Sequence, residues 1–252
     1  MIRRNLKERL KAGENLLGTW CLMPSPHAVN VIAKAGFDFV IIDMEHGCMG
    51  IESASNMAFA AEADGCHAVV RVPANEESIV LRALELGVDG VIAPHIDSVE
   101  DAEAFGKHAK YPPAGKRGFS PYARAGDYHF TKGNTKVQNE SVLSGIIVEG
   151  LDALKKMDKI AANPNIDLIY VGTYDISSAL GIPGEVKDEK VVSILKEAVK
   201  KIRAAGKFAG CMAHSREEAE FMRGIGVQFL LYGVDTLAIY EHYSKIRQQV
   251  RK

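Results

Sequence analysis

Apolar and polar positions alternate in blocks along the chain, with eight short apolar segments separated by amphipathic ones. Most of the apolar segments are continuous rather than alternating, which is typical of strands covered on both faces. The segments predicted as strands are Leu17–Leu22, Phe37–Asp43, Ala68–Val72, Gly90–Ala93, Gly145–Glu149, Leu168–Gly172, Phe208–Met212 and Phe229–Tyr232.

The segments between the predicted strands have the spacing of amphipathic helices. In the helix predicted near Val191–Ala205, apolar residues recur at helical spacing and lysines occupy the other side. The last predicted helix repeats the pattern with Ile239, Tyr243, Ile246 and Val250. Each of these helices therefore has one apolar face to bury.

Eight strands, each followed by a helix, predict an α/β fold, the (β/α)8 TIM barrel, with residues 1–252 forming one domain. The length agrees, because such barrels typically take about 250 residues. The alternative is an open doubly wound sheet, which would need a G-x-G-x-x-G turn after its first strand to bind a dinucleotide. The residues after Leu17–Leu22 read MPSPHAV, so the barrel is favoured.

A long stretch from Tyr111 to about Ser144 shows neither pattern. A connection of this length in a compact domain is usually functional. Its Arg117 and Arg124 could bind an acidic tail of a substrate, and residues 112–129 could complete the site of a neighbouring subunit.

Composition and charge exclude several classes of protein. Lys and Arg number 31 against 32 Asp and Glu, so no basic surplus favours nucleic acid or an anionic membrane. No apolar run approaches the roughly 20 residues that span a bilayer, and the start, MIRRNLKERLKAG, lacks the apolar core of a secretory signal. The four cysteines are far apart and form no C-x-x-C pair, which is typical of reduced thiols. We therefore expect a soluble cytoplasmic protein.

Chemically versatile side chains are concentrated where the predicted strands end. Catalytic groups of a TIM barrel lie at the carboxyl ends of its strands, which meet at one face. The residues at those ends are Asp43, Glu45, His46, Arg71, His95, Glu149, Tyr174, Asp175 and His214, and the opposite rim has His67, Asp167 and Lys207. This asymmetry predicts a site at the carboxyl-end face.

Glu149 and Asp175 follow neighbouring strands of the predicted barrel. Two carboxylates without a cysteine form a hard oxygen site that suits Mg²⁺ or Mn²⁺, with substrate oxygens and waters as further ligands. The alternative is that Asp175 caps the helix that begins with ISSAL.

His46 is a candidate general base, because neutral imidazole is the usual proton carrier near pH 7. Either Asp43 or Glu45 could orient it, and the alternative is a purely structural histidine in a loop. Arg71 is costly to bury unpaired, so it binds either an acidic side chain or an anionic substrate.

For three other residues the sequence does not decide between a role in the pocket and a structural role. His95 and His214 either line the pocket or make ordinary hydrogen bonds in loops, and Trp20 either lines the pocket or packs in the core. No lysine lies at a strand end of this face, which disfavours Schiff-base chemistry. The motifs G-x-x-x-x-G-K-[ST] and G-x-S-x-G are also missing, which disfavours nucleotide hydrolysis and serine-hydrolase chemistry.

The segments GTWCLMPSPHAVNVIAKAGFDFVIIDMEHG, VVRVP, YPPAGKRG, VEG and VGTYDISSALGIPG together resemble the HpcH/HpaI family of metal-dependent 2-oxo-acid aldolases. The matching blocks occur in the family's order from about Leu16 to about Asp235. The resemblance implies a TIM barrel that assembles as a hexamer, a trimer of dimers. It also implies reversible cleavage of 4-hydroxy-2-oxo acids to pyruvate and an aldehyde, with a divalent metal ion (Mg²⁺, Mn²⁺ or Co²⁺) as cofactor.

The resemblance also assigns roles to individual residues. Glu149 and Asp175 would bind the metal, His46 would accept the proton and Arg71 would stabilise the pyruvate enolate. The substrate would bind near Trp20, Gly172, Thr173, Tyr174 and Asp175, with the backbone amides at the last two positions holding the pyruvate carboxylate.

The chain departs from the family pattern at three positions. Glu85 stands where an aspartate often raises the basicity of the catalytic histidine, Ile147 replaces a frequent glutamine, and Tyr174 replaces a frequent alanine. These departures leave room for a related Claisen-type enzyme that condenses an acyl-CoA with a 2-oxo acid. A catalytically silent barrel that binds a small acid is a third reading, which the intact set of His46, Arg71 and both carboxylates disfavours.

Overall fold

The computed structural model describes residues 5–129 and 131–251. Within these residues, eight parallel strands pair in chain order, and β8 pairs with β1 to close the barrel. The TIM barrel predicted from the sequence is therefore confirmed. The strands are β1 Leu16–Cys21, β2 Phe39–Asp43, β3 His67–Arg71, β4 Gly90–Ala93, β5 Leu143–Val148, β6 Leu168–Val171, β7 Phe208–Ala213 and β8 Phe229–Val234.

Each predicted strand overlaps the observed one, with both ends within two residues. Helices precede β1, separate the strands and follow β8. The helices are α1 Leu6–Lys11, α2 Pro26–Lys34, α3 Ile51–Ala63, α4 Glu77–Glu85, α5 Val99–Ala109, α6 Asn134–Ser141, α7 Leu151–Lys155, α8 Met157–Ala161, α9 Thr173–Ala179, α10 Glu189–Ala204, α11 Arg216–Gly224 and α12 Asp235–Val250. Among the described residues, no helix is long and apolar enough to cross a bilayer.

The strands bury both of their faces, which explains their continuous apolar runs. Residues such as Val40 and Ile42 point outward and pack under the helices, while Phe39 and Ile41 point into the barrel. Inside the barrel the Phe39 ring stacks on Phe229 with ring centroids 3.9 Å apart. The barrel is therefore a filled core with its polar chemistry confined to the ends.

Helix α1 closes the amino-terminal end of the barrel. Its Leu6 and Leu10 are fully buried against the interior cluster, and Asn5 caps the helix by accepting a hydrogen bond from the backbone N–H of Glu8. This end is sealed, so the opposite end, where the strands finish, is the open mouth.

The long stretch 111–142 contains α6 and a short 3-10 turn at Arg124–Gly126, so the expectation of an irregular connection was only partly right. It follows helix α5 and precedes strand β5, which places it at the amino-terminal face. Arg117 bonds Glu85, and Arg124 bonds the carbonyl oxygen of Leu86, both at the end of α4. Within one subunit, neither arginine reaches the open mouth.

Lys110 connects this stretch to the barrel through hydrogen bonds and an ion pair. Its Nζ donates to the carbonyl oxygens of Asn139 and Val142 at 2.9 and 3.2 Å and lies 3.4 Å from Asp167. The side chain is almost wholly buried, and burial lowers the pKa of Lys110 from 10.5 to about 8 although the Asp167 carboxylate opposes the change.

This buried amine predicts a pH dependence of stability. Between pH 8 and 10.5 the unfolded chain holds the Lys110 proton more tightly than the folded chain, so the free energy of unfolding rises with pH. Relative to Lys110→Met, the wild-type protein should gain about 2 kcal/mol between pH 7.5 and pH 10. Urea denaturation of both proteins across this range measures the difference, and a difference that stays constant with pH contradicts the prediction.

Candidate active site

Six polar side chains lie together at the open mouth, and we call this group the acidic mouth. It combines residues from the ends of strands β2, β3, β5 and β6 with one from the loop after β4, because parallel strands bring their carboxyl ends to one face. The acidic mouth consists of Asp43, Glu45, Arg71, His95, Glu149 and Asp175.

Arg71 is the fixed cation of the acidic mouth. Its Nε donates to Asp43 Oδ1 at 2.8 Å, its Nη2 bonds Asp43 Oδ2, and its Nη1 lies 2.9 Å from Glu45 Oε2. The guanidinium carbon stacks 4.3 Å from the centre of the Trp20 ring. Two of its five N–H groups donate to Asp43, the contact with Glu45 is an ion pair without hydrogen-bond geometry, and N–H groups therefore remain for an anionic ligand. Both partners that the sequence left open, acidic side chains and a substrate, are therefore compatible with Arg71.

Asp43 holds this arrangement from below. It is fully buried at the end of β2, and its Oδ1 also accepts hydrogen bonds from the backbone N–H groups of Glu45 and His46 at 3.0 and 3.2 Å. The carboxylate thus folds the loop after β2 and orients Arg71 at the same time. Asp43 thus bonds the backbone of His46 and not its ring. Within the described residues, neither Asp43 nor Glu45 forms a hydrogen bond with the His46 imidazole, so the orientation of the ring expected from the sequence is not observed.

Glu149 and Asp175 approach each other beside Gly172. Glu149 Oε2 and Asp175 Oδ2 lie 3.1 and 3.7 Å from the point that a Cβ on Gly172 would occupy. Burial, followed by the negative charge of Asp175, raises the pKa of Glu149, and His95 opposes this change. Burial is the larger cause, and repulsion between the two carboxylates, where water screens them poorly, adds to it.

His95 lies between two of the acids. Its Nε2 is 2.8 Å from Glu45 Oε1 and its Nδ1 is 2.7 Å from Glu149 Oε1, while its backbone N–H donates to the same Glu149 oxygen at 3.3 Å. The ring remains two-thirds exposed to the mouth. His95 therefore belongs to the site, one of the two roles that the sequence left open.

His46 is exposed at the rim of the mouth, where a proton carrier would need to be. Trp20 is buried and carries Arg71 on its face, with Tyr170 packed edge-on at 5.7 Å. Trp20 thus packs in the core and at the same time supports the site.

The end of β6 leads through Gly172 into the first turn of α9, which contains Thr173, Tyr174 and Asp175. Thr173 is buried, and the Tyr174 hydroxyl lies 2.9 Å from Nε2 of His214. The bulky Tyr174 is therefore paired with the histidine that follows β7, which gives the mouth an aromatic side wall.

The structure does not bring Glu85 to His46 within one subunit. Glu85 ends helix α4 at the amino-terminal face, where its Oε1 accepts a hydrogen bond from Arg117 Nη2 at 2.8 Å. The sequence contained a signal for this placement, because α4 begins soon after β3 and runs toward the opposite face.

The chemistry of the acidic mouth fits a divalent cation. Four carboxylates surround one permanently charged arginine and one histidine, which leaves an excess of negative charge in a partly buried place. Glu149 and Asp175 could hold the cation, since carboxylate oxygens are the ligands that Mg²⁺ and Mn²⁺ prefer. Among the described residues, no three His, Cys, Asp or Glu side chains already converge as a metal cage.

A closed parallel barrel with an acidic, arginine-containing site at the strand ends defines the class of (β/α)8 barrels with a functional carboxyl-end face. Residues 16–241 match the family model described as HpcH/HpaI aldolase/citrate lyase. The chain therefore belongs to the HpcH/HpaI aldolase/citrate lyase family, as the motifs of its sequence indicated.

Individual relatives are similar along nearly their whole length. The chain is 31% identical to a 4-hydroxy-2-oxovalerate aldolase of Rhodococcus jostii (strain RHA1), with 96% of this chain and 94% of the relative aligned. It is 28% identical to a pyruvate aldolase of Rhizobium etli over 92% of this chain and 91% of the relative. The crystal structure of the citrate synthase SbnG superposes with a TM-score of 0.91 at 30% identity, covering 98% of this chain and 97% of that one.

The buried pair of Arg71 and Asp43 predicts a large loss of stability when it is broken. Arg71→Leu should lower the free energy of unfolding by about 3–5 kcal/mol, because Asp43 is left charged and buried. The matched control is Arg216→Leu, whose ion pair with Glu220 is exposed, and it should cost less than about 1 kcal/mol. Urea denaturation compares the two variants. Equal losses in the free energy of unfolding would contradict the large contribution predicted for the buried Arg71–Asp43 pair.

Proposed function

We propose that this protein is a class II aldolase, a carbon–carbon lyase that depends on a divalent metal ion. It would reversibly cleave a 4-hydroxy-2-oxo acid to pyruvate and an aldehyde. The proposal rests on the acidic mouth, in which Glu149 and Asp175 approach each other at Gly172 and Glu149 is linked through His95 and Glu45 to Arg71. Relatives named as aldolases support the same chemistry.

The metal would be Mg²⁺, Mn²⁺ or Co²⁺, held by Glu149 and Asp175. When bound, it would supply a Lewis acid for the negative charge that develops on the 2-oxo group during cleavage. The 2-oxo acid would bind beside Gly172 and Thr173, and the backbone N–H groups at Tyr174 and Asp175 would hold its carboxylate. The first turn of a helix leaves such N–H groups without partners in the helix itself.

Arg71 would stabilise the pyruvate enolate with the N–H groups that do not bond Asp43. Asp43 and Glu45 fix the guanidinium before the substrate arrives, so little reorganisation is needed as charge develops. Trp20 limits its movement from one side.

His46 would take the proton from the C4 hydroxyl during cleavage and return it during condensation. Its exposed place at the rim leaves it accessible to that hydroxyl. The expected support of His46 by Glu85 would require the Glu85 of a neighbouring subunit, because the two residues are at opposite faces of their own barrel.

The test is pyruvate release by purified protein from a panel of 4-hydroxy-2-oxo acids. EDTA should abolish the release, and Mg²⁺, Mn²⁺ or Co²⁺ should restore it. His46→Ala should lower turnover about 10²- to 10⁴-fold, the usual range for a positioned acid–base group. Activity that survives EDTA and is trapped by borohydride would replace this mechanism with a Schiff base, and an unchanged rate in His46→Ala would remove His46 from it.

A second candidate function is Claisen-type condensation of an acyl-CoA with a 2-oxo acid. It is favoured by the likeness to the citrate synthase SbnG and by Ile147, which is buried and offers no polar group to the substrate. Acetyl-CoA with oxaloacetate, assayed beside the aldol substrates, separates the two functions by release of free CoA.

We further infer that the protein is a homo-oligomer, a hexamer built as a trimer of dimers. Helix α12 was expected to bury its apolar stripe, yet in the single chain Ile239, Tyr243, Ile246 and Val250 are exposed. The helix is anchored only at its start, where Asp235 accepts hydrogen bonds from the backbone N–H groups of Leu22 and Met23. A second copy would cover this stripe.

Light scattering after size exclusion should therefore give the mass of six chains. Tyr243→Glu should give a smaller species, because a charge would be buried in the contact. Lys245→Glu, a change on the same helix outside the stripe, should leave the mass unchanged. A monomeric wild-type protein would contradict the inference. The cytoplasmic location expected from the cysteines stays a prediction, which localisation of a tagged protein in its host would test.

A further inference from the structure

His95 is the residue of the acidic mouth for which neither the sequence motifs nor the family pattern gives a role. It follows strand β4, and its backbone has a φ of 53°, in the left-handed region that few residues other than glycine adopt. Strain of this kind persists only where surrounding contacts maintain it. Here the contacts are those of the imidazole and of the backbone N–H with Glu45 and Glu149.

The two oxygens of Glu149 have different surroundings because of His95. Oε1 accepts a hydrogen bond from the His95 backbone N–H at 3.3 Å and lies in contact with the imidazole Nδ1 at 2.7 Å. Oε2 is left on the other side, beside Gly172 and toward Asp175. The carboxylate is thus turned so that one oxygen faces the second carboxylate.

His95 also links Glu149 to the anchored arginine. The contacts run from buried Asp43 to Arg71, from Arg71 to Glu45, and from Glu45 to His95 Nε2. Ile147, which precedes Glu149 by two positions, points into the apolar interior and makes no such contact. The orientation of Glu149 therefore depends on His95 and on the chain of contacts behind it.

We propose that His95 is a positioning residue that fixes Glu149 with Oε2 facing Asp175, the arrangement in which both carboxylates bind one divalent cation. The inference rests on the metal site of the proposed function. Groups that hydrogen-bond to a metal-binding carboxylate typically contribute 10- to 100-fold to metal affinity.

The test measures Mn²⁺ binding, which does not depend on turnover. The main pair of variants is His95→Asn and His95→Gly, since both residues tolerate a left-handed backbone. The Asn amide can donate to Glu149 from near the position of Nδ1, whereas Gly removes the side-chain contact and leaves only the backbone N–H. His95→Asn should bind Mn²⁺ with an affinity close to wild type, and His95→Gly about 10- to 100-fold more weakly. Calorimetry gives the dissociation constants, and the spectrum of free Mn²⁺ gives an independent measure.

A third variant separates positioning from a general loss of structure. The amide of His95→Gln can donate from near the position of Nε2, toward Glu45 but not toward Glu149. It should therefore bind Mn²⁺ as weakly as His95→Gly, while circular dichroism shows that all variants remain folded. If His95→Gly does not fold, the comparison of His95→Asn with His95→Gln carries the same test.

Two results would overturn the inference. One is equal Mn²⁺ affinity in wild type, His95→Gly and His95→Gln, and the other is a wild-type protein that binds no Mn²⁺ at millimolar concentration. The expected order of affinities together with a failure to cleave any 4-hydroxy-2-oxo acid would remove the proposed reaction and leave the role of His95 intact.

Discussion

The acidic mouth contains more negative charge than its own cations can balance, and the rest of the site follows from this constraint. Four carboxylates are crowded at one end of the barrel, and Arg71 is the one permanently charged base among the six residues of the group. Asp43 accepts two hydrogen bonds from the arginine, and Glu45 forms an ion pair with it. Glu149 and Asp175 remain, and burial together with the charge of Asp175 raises the pKa of Glu149.

The barrel makes such crowding possible because the rest of the fold stabilises the strands that hold these charged residues. Strand ends β2, β3, β5 and β6 bring the acids within reach of one another, while the apolar interior below them is filled. The amino-terminal face is built differently. There Lys110 and Arg117 satisfy carbonyl and carboxylate groups and hold the long 111–142 stretch in place. The amino-terminal face thus contributes to stability, and the open mouth leaves charged side chains available for a ligand.

The sequence predicted the barrel and most of the site, since continuous apolar strands locate the residues that follow them. Arg71, Glu149 and Asp175 were found in this way, and the structure places them in one group. The role of His95 could not be predicted, because it depends on a left-handed backbone and on the direction of a side chain in a loop. Glu85 and the 111–142 stretch are a different case, because both lie at the amino-terminal face and would meet an acidic mouth only in a neighbouring subunit. Both follow the start of a helix, α4 or α5, and the direction of those helices already indicated the opposite end.

The proposed mechanism depends on the two carboxylates beside Gly172 forming a site for one divalent cation. Equilibrium dialysis of the wild-type protein and Asp175→Asn against Mn²⁺ near neutral pH tests it most directly. One Mn²⁺ bound per wild-type chain, and almost none per variant chain, is the result that this account requires. Absence of binding in the wild type, or equal binding in both proteins, would contradict it.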